Sequence, residues 1–343
     1  MTTRLTKSRT PIVDVAHARS GDAGMNLLFL LAMALVFNSH LEEYHVRPWL
    51  AGDGLLGNSM FFALSGYRIS LSLSLQTTSF LSFLKRRLIR IYPTVWLVVL
   101  ILGPTAGWLA PASTLSGIFS LFIWPTRFTY VSGIVPIYVL LYLMERLRPC
   151  VRTRFILLAA TLALSVLTAF SSSANPLSLS AVNPWAYAFL FFSVALAGSI
   201  LAQTSQWRRT TVRIAMFAGI LVVSYLSLKL FSALSRDWSH FLPILLLGAI
   251  SAVAIVAAVM PGRLTAPIDN VPVISRCSAF VARYSLEIYT VHCIVIEWTW
   301  LRKLQFPLGL IGALVVSVSL AAVSGLITHR LFPARTATKG GTP

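Results

Sequence analysis

The sequence FFALSGYRISLSLSLQTTSFLSFLKRRLIRIYP, at residues 61–93, carries the strongest structural signal in the chain. It begins as an apolar segment of the kind that crosses a membrane, and it contains the small pair Ser65-Gly66. A dense cationic cluster follows and ends at Tyr92-Pro93; its members are Lys85, Arg86, Arg87 and Arg90. Because lysine and arginine accumulate on the cytoplasmic side of membrane helices, we predict a membrane helix, a cytoplasmic turn and a second helix that starts from a Tyr-Pro hinge.

The composition of the whole chain indicates a membrane protein. Of its 343 residues, 57% are hydrophobic and 11% are charged, whereas a soluble protein carries about 25% charged residues. The net charge of +18 comes from short cationic clusters between apolar runs, so we predict no nucleic-acid partner. The three cysteines, Cys150, Cys277 and Cys293, have neither disulfide nor metal-ligand spacing, and we predict no metal site.

Long apolar runs recur along the chain. A helix needs about 17–25 mostly apolar residues to cross a bilayer, and about ten runs are long enough. We predict an all-α transmembrane bundle with spans near residues 25–40, 55–75, 91–111, 130–146, 154–172, 184–203, 212–233, 240–260, 284–301 and 306–329. The stretch 112–129 is expected to be re-entrant or interfacial, and 261–283 to be a cytoplasmic loop. The membrane domain at 25–331 then lies between tails at 1–24 and 332–343.

The distribution of cations orients this bundle. With a cytoplasmic N-terminus and ten alternating spans, the inside segments hold 21 lysines and arginines and the outside segments hold 6. Such a bias follows the positive-inside rule. We therefore predict that both termini are cytoplasmic.

Ionisable residues within or beside a membrane span are costly to bury, so each is a candidate for function. His40 ends the first predicted span, and it is followed by Glu42, Glu43, His45 and Asp53. An imidazole oriented by a nearby carboxylate can act as a general base on a hydroxyl group. The alternative is an interfacial histidine that reaches water.

A second polar group lies in the ninth predicted span. Ser285, Tyr289 and His292 recur at i, i+4 and i+7, and Glu287 lies in the same segment. This spacing places a hydroxyl, a phenol and an imidazole on one helix face. A polar face in a membrane helix turns toward the bundle interior or a water-filled cavity. The alternative is a structural hydrogen-bonded network that holds helices together.

The arginines are candidates for phosphate binding. Their forked donors suit phosphate oxygens, so a nucleotide phosphate is the expected ligand of Arg86, Arg87 and Arg90. Arg68 is a further candidate because it lies within or at the end of a span. The alternative for the cluster is topogenic charge and attraction to anionic lipid, and Ser65-Gly66 alone also fits small-residue helix packing.

Four segments resemble, in order, the integral-membrane acyltransferase 3 family, the bacterial O-acyltransferases that modify surface carbohydrates. The first helix ends in His40, and the second carries Phe-Phe-x-x-Ser-Gly-aromatic at residues 61–67. Arg-Arg-x-x-Arg-Ile-Tyr-Pro follows at residues 86–93, and Ser-x-x-x-Tyr-x-x-His occupies residues 285–292. The match covers nearly the whole chain, and the middle pair of motifs is quite specific at this spacing.

The resemblance implies a reaction and its site. The expected activity is the transfer of an acyl group from cytoplasmic acyl-CoA to a hydroxyl of a polysaccharide, an oligosaccharide or a lipid-linked glycan. The acyl group is expected to be acetyl. It implies catalytic roles for His40, Ser65, Tyr289 and His292, and donor-binding roles for Arg68, Arg86, Arg87 and Arg90. Acyl-CoA would be a substrate, with no tightly bound cofactor. The implied location is the bacterial cytoplasmic (inner) membrane, in contact with membrane lipids.

Two positions depart from the family pattern. Phe29 stands eleven residues before His40, where the family usually has an arginine, and Tyr138 stands where a tryptophan is expected, with Glu145 nearby. A catalytically impaired homologue, or an inactive partner of another acyltransferase, is therefore an alternative. Another is a transporter or flippase-like protein, because intramembrane His, Glu and Tyr also suit a substrate or proton path. A transporter would more often show repeat symmetry between its halves, and the sequence shows none.

Overall fold

The structure is a computed structural model that describes residues 15–46, 48–51, 54–75, 78–170, 184–203, 219–227, 246–253, 255, 271–304 and 306–332. Within these ranges the regular secondary structure is helical, as predicted, and contains no strand. The helices are α1 (Val15–Ser39), α2 (Gly54–Leu75), α3 (Phe80–Ile101), α4 (Leu115–Phe122), α5 (Thr129–Leu147), α6 (Val151–Phe170), α7 (Pro184–Gln203), α8 (Pro272–Arg283), α9 (Ser285–Val295), α10 (Thr299–Arg302) and α11 (Leu308–Leu331). Residues 219–227 and 246–253 are also helical.

Among the residues that the structure describes, four helices are long and apolar enough to cross a membrane. They are α5, α6 as far as Thr168, α7 and α11, and shorter apolar helical stretches occupy Gly24–Ser39 and Ser285–Val295. The predicted span at 184–203 has the same bounds as α7, and the span at 55–75 begins one residue inside α2. The predicted spans at 212–233 and 240–260 lie mostly outside the described residues, as do most of the two tails. The count of ten spans and the cytoplasmic termini therefore stay predictions.

The prediction of a Tyr-Pro hinge is wrong. Helix α3 begins at Phe80, where the Ser79 side chain accepts a hydrogen bond from the backbone N–H of Ser82 at 3.4 Å, so the cationic cluster lies within the helix. Pro93 is also inside α3. Proline removes one backbone donor, but neighbouring helices let a membrane helix tolerate this loss. The cations therefore have fixed helical positions and are not part of a flexible turn.

The predictions for residues 261–283 and 284–301 also need correction. The expected loop contains α8, and the expected span is divided into α9 and the short α10. Tyr284 separates α8 from α9 with φ −104° and ψ 19°, outside ordinary helical geometry. Its N–H still donates to the Phe280 carbonyl and its own carbonyl accepts from Ile288, so the two helices follow each other closely. The 8-residue α4, within the stretch expected to be re-entrant or interfacial, is too short to span.

Helix α2 lies at the centre of the described bundle and packs on α1, α5 and α7. A Cβ atom added to Gly66 would lie 1.9 Å from the backbone oxygen of Ala195, and one added to Gly198 would lie 2.1 Å from that of Ala63. Small residues at such crossings let the backbones of two membrane helices approach closely. Gly66 therefore lets α2 and α7 pack closely, which is the small-residue packing that the sequence analysis offered as an alternative for Ser65-Gly66.

Hydrogen bonds join the loops at one end of the bundle, which we name the His40 end because α1 finishes there. The Tyr44 hydroxyl donates to the Ile296 carbonyl at 3.1 Å, which ties the loop after α1 to the end of α9. The Trp108 indole donates to Glu297 at 2.7 Å and ties the loop after α3 to the same place. These loops are the ones that the charge pattern assigns to the outside.

A second set of contacts joins the opposite end, named the Thr78 end after the turn between α2 and α3. The Tyr142 hydroxyl on α5 donates to the Thr78 carbonyl at 2.9 Å. Glu145 accepts from Arg154 at 3.0 Å and from Gln203 at 2.8 Å, which joins the ends of α5, α6 and α7. These segments are the ones that the charge pattern assigns to the cytoplasm.

Candidate active site

Two histidines that are far apart in the sequence lie side by side at the His40 end. The ring centroids of His40 and His292 are 5.2 Å apart. Phe37, on the last turn of α1, lies 5.5 Å from the His292 ring. The structure therefore brings together two of the residues that the sequence singled out for catalysis.

The environment of His292 determines which ring nitrogen carries the proton. Its Nδ1 lies 2.9 Å from the Ile288 carbonyl oxygen, and its side chain is fully buried. A carbonyl oxygen can only accept, so Nδ1 is the donor and the neutral ring keeps its lone pair on Nε2. His292 can thus accept a proton or bind a metal ion through Nε2.

The loop that carries His40 is held by contacts with the end of α9 and with α10. Besides the bond from Tyr44, Glu43 forms an ion pair with Arg302 at 3.0 Å. His45 bonds to the Asn38 side chain at 2.8 Å. Glu43 therefore pairs with Arg302 rather than with His40, and Asp53 lies outside the described residues.

A series of ring contacts and hydrogen bonds leads from the histidine pair into the bundle. The Tyr289 ring lies 5.6 Å from the His292 ring, and its hydroxyl accepts from the backbone N–H of Tyr130 at 3.0 Å. The Tyr130 hydroxyl is 3.0 Å from Ser65 Oγ. Ser65, Tyr289 and His292 thus belong to one connected group, and Tyr130 is a member that the sequence analysis missed. Tyr130 escaped notice because no motif or charge marks it in the sequence.

This line of contacts reaches an inner cavity of about 80 Å³. Five helices supply its walls, which include Phe29, Phe61, Ser65, Arg68, Arg87, Arg90, Tyr130, Tyr138, Ser285 and Tyr289. Neither His40 nor His292 is among the lining residues, and Tyr289 connects the cavity to the histidine pair. Phe61, Ser65 and Arg68 line the cavity together because i, i+4 and i+7 share a helix face.

Phe29, which stands where the family usually has an arginine, lines this cavity and contacts Arg68 of α2. The guanidinium carbon of Arg68 lies 4.4 Å from the centre of the Phe29 ring. A cation over an aromatic face gains about 0.5–2 kcal/mol, depending on how well the pair is desolvated. An arginine is therefore present beside position 29, supplied by α2 rather than by α1.

An outer cavity of about 180 Å³ adjoins the inner one toward the Thr78 end. Arg87 and Arg90 line both cavities, and Arg86 lines only the outer one. Lys85 lines neither and is exposed. The predicted cationic cluster is thus divided into three arginines that face cavities and one lysine that faces away.

Two glutamates named in the sequence analysis, Glu145 and Glu287, accept hydrogen bonds from other helices. Glu145 accepts from Arg154, Ser199 and Gln203, at the far end of α5 from Tyr130. Glu287 is buried and accepts a hydrogen bond from Thr94 at 3.3 Å, which joins α9 to α3. Both carboxylates therefore hold helices together.

Comparison with known proteins assigns the family. No curated protein and no solved structure matches this chain significantly. The acyltransferase domain of the acyltransferase 3 family matches residues 22–328, which include every candidate site residue. Together with the apolar helices, this match makes the chain an integral membrane protein. The chain belongs to the acyltransferase 3 family, as the order and spacing of its motifs predicted.

Proposed function

We propose that this membrane acyltransferase moves an acyl group, by expectation acetyl, from cytoplasmic acyl-CoA to a hydroxyl of a cell-surface or exported carbohydrate. The observation that supports this most is the unbroken series of contacts from the arginine-lined cavities to the histidine pair. Tyr289 lines the inner cavity and contacts the ring of His292, which in turn packs against His40. The acceptor is a polysaccharide, an oligosaccharide or a lipid-linked glycan, and the membrane is the bacterial inner membrane.

The arginine cavities suit the donor. CoA is polyanionic, and arginine forks bind phosphate oxygens in pairs. The outer cavity, with Arg86, Arg87 and Arg90, receives the phosphates at the Thr78 end. The inner cavity adjoins the outer one through Arg87 and Arg90, so it receives the thioester arm. At 1.5 Å per residue, His40 lies roughly 16 Å from Phe29 along the helix axis. The thioester arm must extend over this distance to reach His40.

The acyl group is transferred directly from the thioester sulfur to the oxygen of the acceptor hydroxyl. His40 removes the proton from the acceptor hydroxyl, whose oxygen attacks the thioester carbonyl carbon. The C–S bond breaks, and the CoA thiolate leaves and takes up the proton from His40. A hydrogen-bond donor beside the thioester carbonyl stabilises the oxyanion as it forms, and we assign this role to Tyr289, whose ring contacts His292. The Tyr289 hydroxyl accepts from the backbone N–H of Tyr130 and keeps its own proton to donate. His292 is a positioning residue that packs against His40.

The test is transfer by the purified protein from radiolabelled acetyl-CoA to a surface-glycan acceptor. The variant His40→Ala should lower the rate at least about 100-fold, the lower range for loss of a general base. The matched control is His45→Ala, which removes a histidine of the same loop that bonds to Asn38. Normal transfer by His40→Ala would exclude this mechanism.

A cell-based measurement identifies the product. Mass spectrometry of surface glycans from strains with and without the gene should show an acyl mass that is lost when the gene is absent, and the size of the lost mass identifies the acyl group. Protein that neither hydrolyses nor transfers acyl-CoA would support the transporter or the impaired homologue instead.

A further inference from the structure

We infer that His40, His292 and Cys293 form a binding site for a soft divalent metal ion, with Zn²⁺ as the best-suited species. One ligand atom from each residue lies within 4.8 Å of the other two. No motif in the sequence marks this group, because most of the chain separates His40 from Cys293. Occupancy by the metal would block the proposed general base, and this regulatory consequence alone rests on the proposed function.

The ligand types favour zinc. Thiolate and imidazole groups are the preferred ligands of Zn²⁺, whereas Mg²⁺ and Ca²⁺ prefer oxygen. The hydrogen bond from His292 Nδ1 to the Ile288 carbonyl fixes the ring and leaves the lone pair on Nε2, which faces Cys293 Sγ, for a metal. Such second contacts accompany almost every metal-binding histidine in proteins.

The geometry is close to that of a tetrahedral site. Bonds of about 2.3 Å to sulfur and 2.0–2.1 Å to nitrogen place tetrahedral ligand atoms roughly 3.3–3.8 Å apart. His292 Nε2 and Cys293 Sγ are already 3.7 Å apart. The widest separation in the group, at most 4.8 Å, closes with a shift of about 1.5 Å at His40, which follows the last turn of α1.

Binding costs one proton and changes no oxidation state. The Cys293 thiol now donates to the Tyr289 carbonyl at 3.3 Å, and it releases its proton to the buffer when the thiolate binds Zn²⁺. Three protein ligands leave a fourth position for water. A neutral imidazole has one ring-nitrogen lone pair, so His40 cannot bind the metal and accept a proton from the acceptor hydroxyl at once.

The first measurement is zinc binding without any substrate. Chelator-treated, reduced protein in detergent is titrated with Zn²⁺ against a chromogenic competitor. The wild type should bind one Zn²⁺ per chain, and Cys293→Ala should raise Kd at least about 10-fold. Even the loss of a side chain that contacts a metal ligand from outside lowers the metal affinity by about that factor. The matched control Cys277→Ala removes an exposed cysteine and should leave Kd unchanged. Equal affinity in the wild type and Cys293→Ala would overturn the proposal.

The second measurement is acyl transfer with added Zn²⁺. Micromolar Zn²⁺ should inhibit the wild type and Cys277→Ala, while Cys293→Ala should remain active, and Mg²⁺ should inhibit none of them. Equal inhibition of all three proteins by Zn²⁺ would overturn the regulatory role. Should the wild type show no transferase activity, the binding titration still decides whether the site exists, so the two proposals can fail separately.

Discussion

At the residue scale, the structure separates cations that the sequence presents as one cluster. Arg87 and Arg90 each line both cavities, whereas Lys85 is exposed and lines neither. Arg87 also lies 5.4 Å from the Phe83 ring and 5.7 Å from the Tyr138 ring, measured from its guanidinium carbon. A topogenic role depends only on how many cations lie on one side of the membrane, and not on which of them face a cavity. The position of Arg87 in both cavities therefore argues for a ligand there.

Donor binding should therefore depend on Arg87 and not on Lys85. A charge-assisted hydrogen bond contributes about 1.5–3 kcal/mol, so Arg87→Gln should weaken acetyl-CoA binding by about 10–100-fold. The matched variant Lys85→Gln removes the same charge and should change the affinity less than about 3-fold. Isothermal titration of detergent-solubilised protein with acetyl-CoA measures both. Equal losses in the two variants would return the cluster to a purely topogenic role.

At the element scale, α2 has two faces with different tasks. Phe61, Ser65 and Arg68 line the inner cavity, while Phe62 stacks on Phe191 of α7 with ring centroids 4.3 Å apart. The family motif in residues 61–67 therefore combines a packing face and a site face one residue apart. Close packing by the first face fixes the position of the second.

Adding a methyl group at Gly66 should disturb this packing. The new Cβ would meet the Ala195 backbone oxygen, which cannot rotate away, so α2 and α7 must separate. Overpacking of this kind costs about 1–3 kcal/mol, and Gly66→Ala should lower the apparent Tm in detergent by several degrees.

The matched control for Gly66→Ala is Gly248→Ala. Gly248 is also helical, and an added Cβ there would meet only side-chain atoms at 3.8 Å. This variant should be neutral or slightly stabilising, because alanine favours helix by about 1 kcal/mol over glycine. An unchanged Tm for Gly66→Ala would show that the crossing of α2 and α7 is looser than the structure indicates.

At the scale of the whole molecule, the sequence predicted the helical class and the ends of several helices well. Hydropathy located α7 because it is an uninterrupted apolar run, and it located the start of α2 within one residue although Arg68 lies inside that helix. It failed at α3 and at the break between α8 and α9, where charges, prolines or tertiary contacts obscure helix ends. Within the site, His40 and His292 were found from their cost in a membrane, but Tyr130 and Cys293 needed the fold, since only packing brings them to the site.

The proposed reaction also requires a particular orientation of the whole bundle. His40 must lie outside and the arginine cavities must lie toward the cytoplasm, and the His40 end and the Thr78 end are at opposite ends of the helices. Cys150 is exposed in the turn between α5 and α6, at the Thr78 end. Val46 is 75% exposed in the loop after His40. These two positions therefore report on opposite sides of the membrane.

Labelling of intact cells with a membrane-impermeant thiol reagent tests this orientation. Val46→Cys in a Cys150→Ala, Cys277→Ala background should react before the cells are permeabilised, because the positive-inside rule places that loop outside. Wild-type Cys150 should react only after permeabilisation. Reaction of Cys150 in intact cells would place the arginine cavities on the outer side, where cytoplasmic acyl-CoA cannot reach them. That outcome would exclude the proposed donor route even if His40 proved essential, so the orientation of the bundle decides the mechanism independently of its catalytic residues.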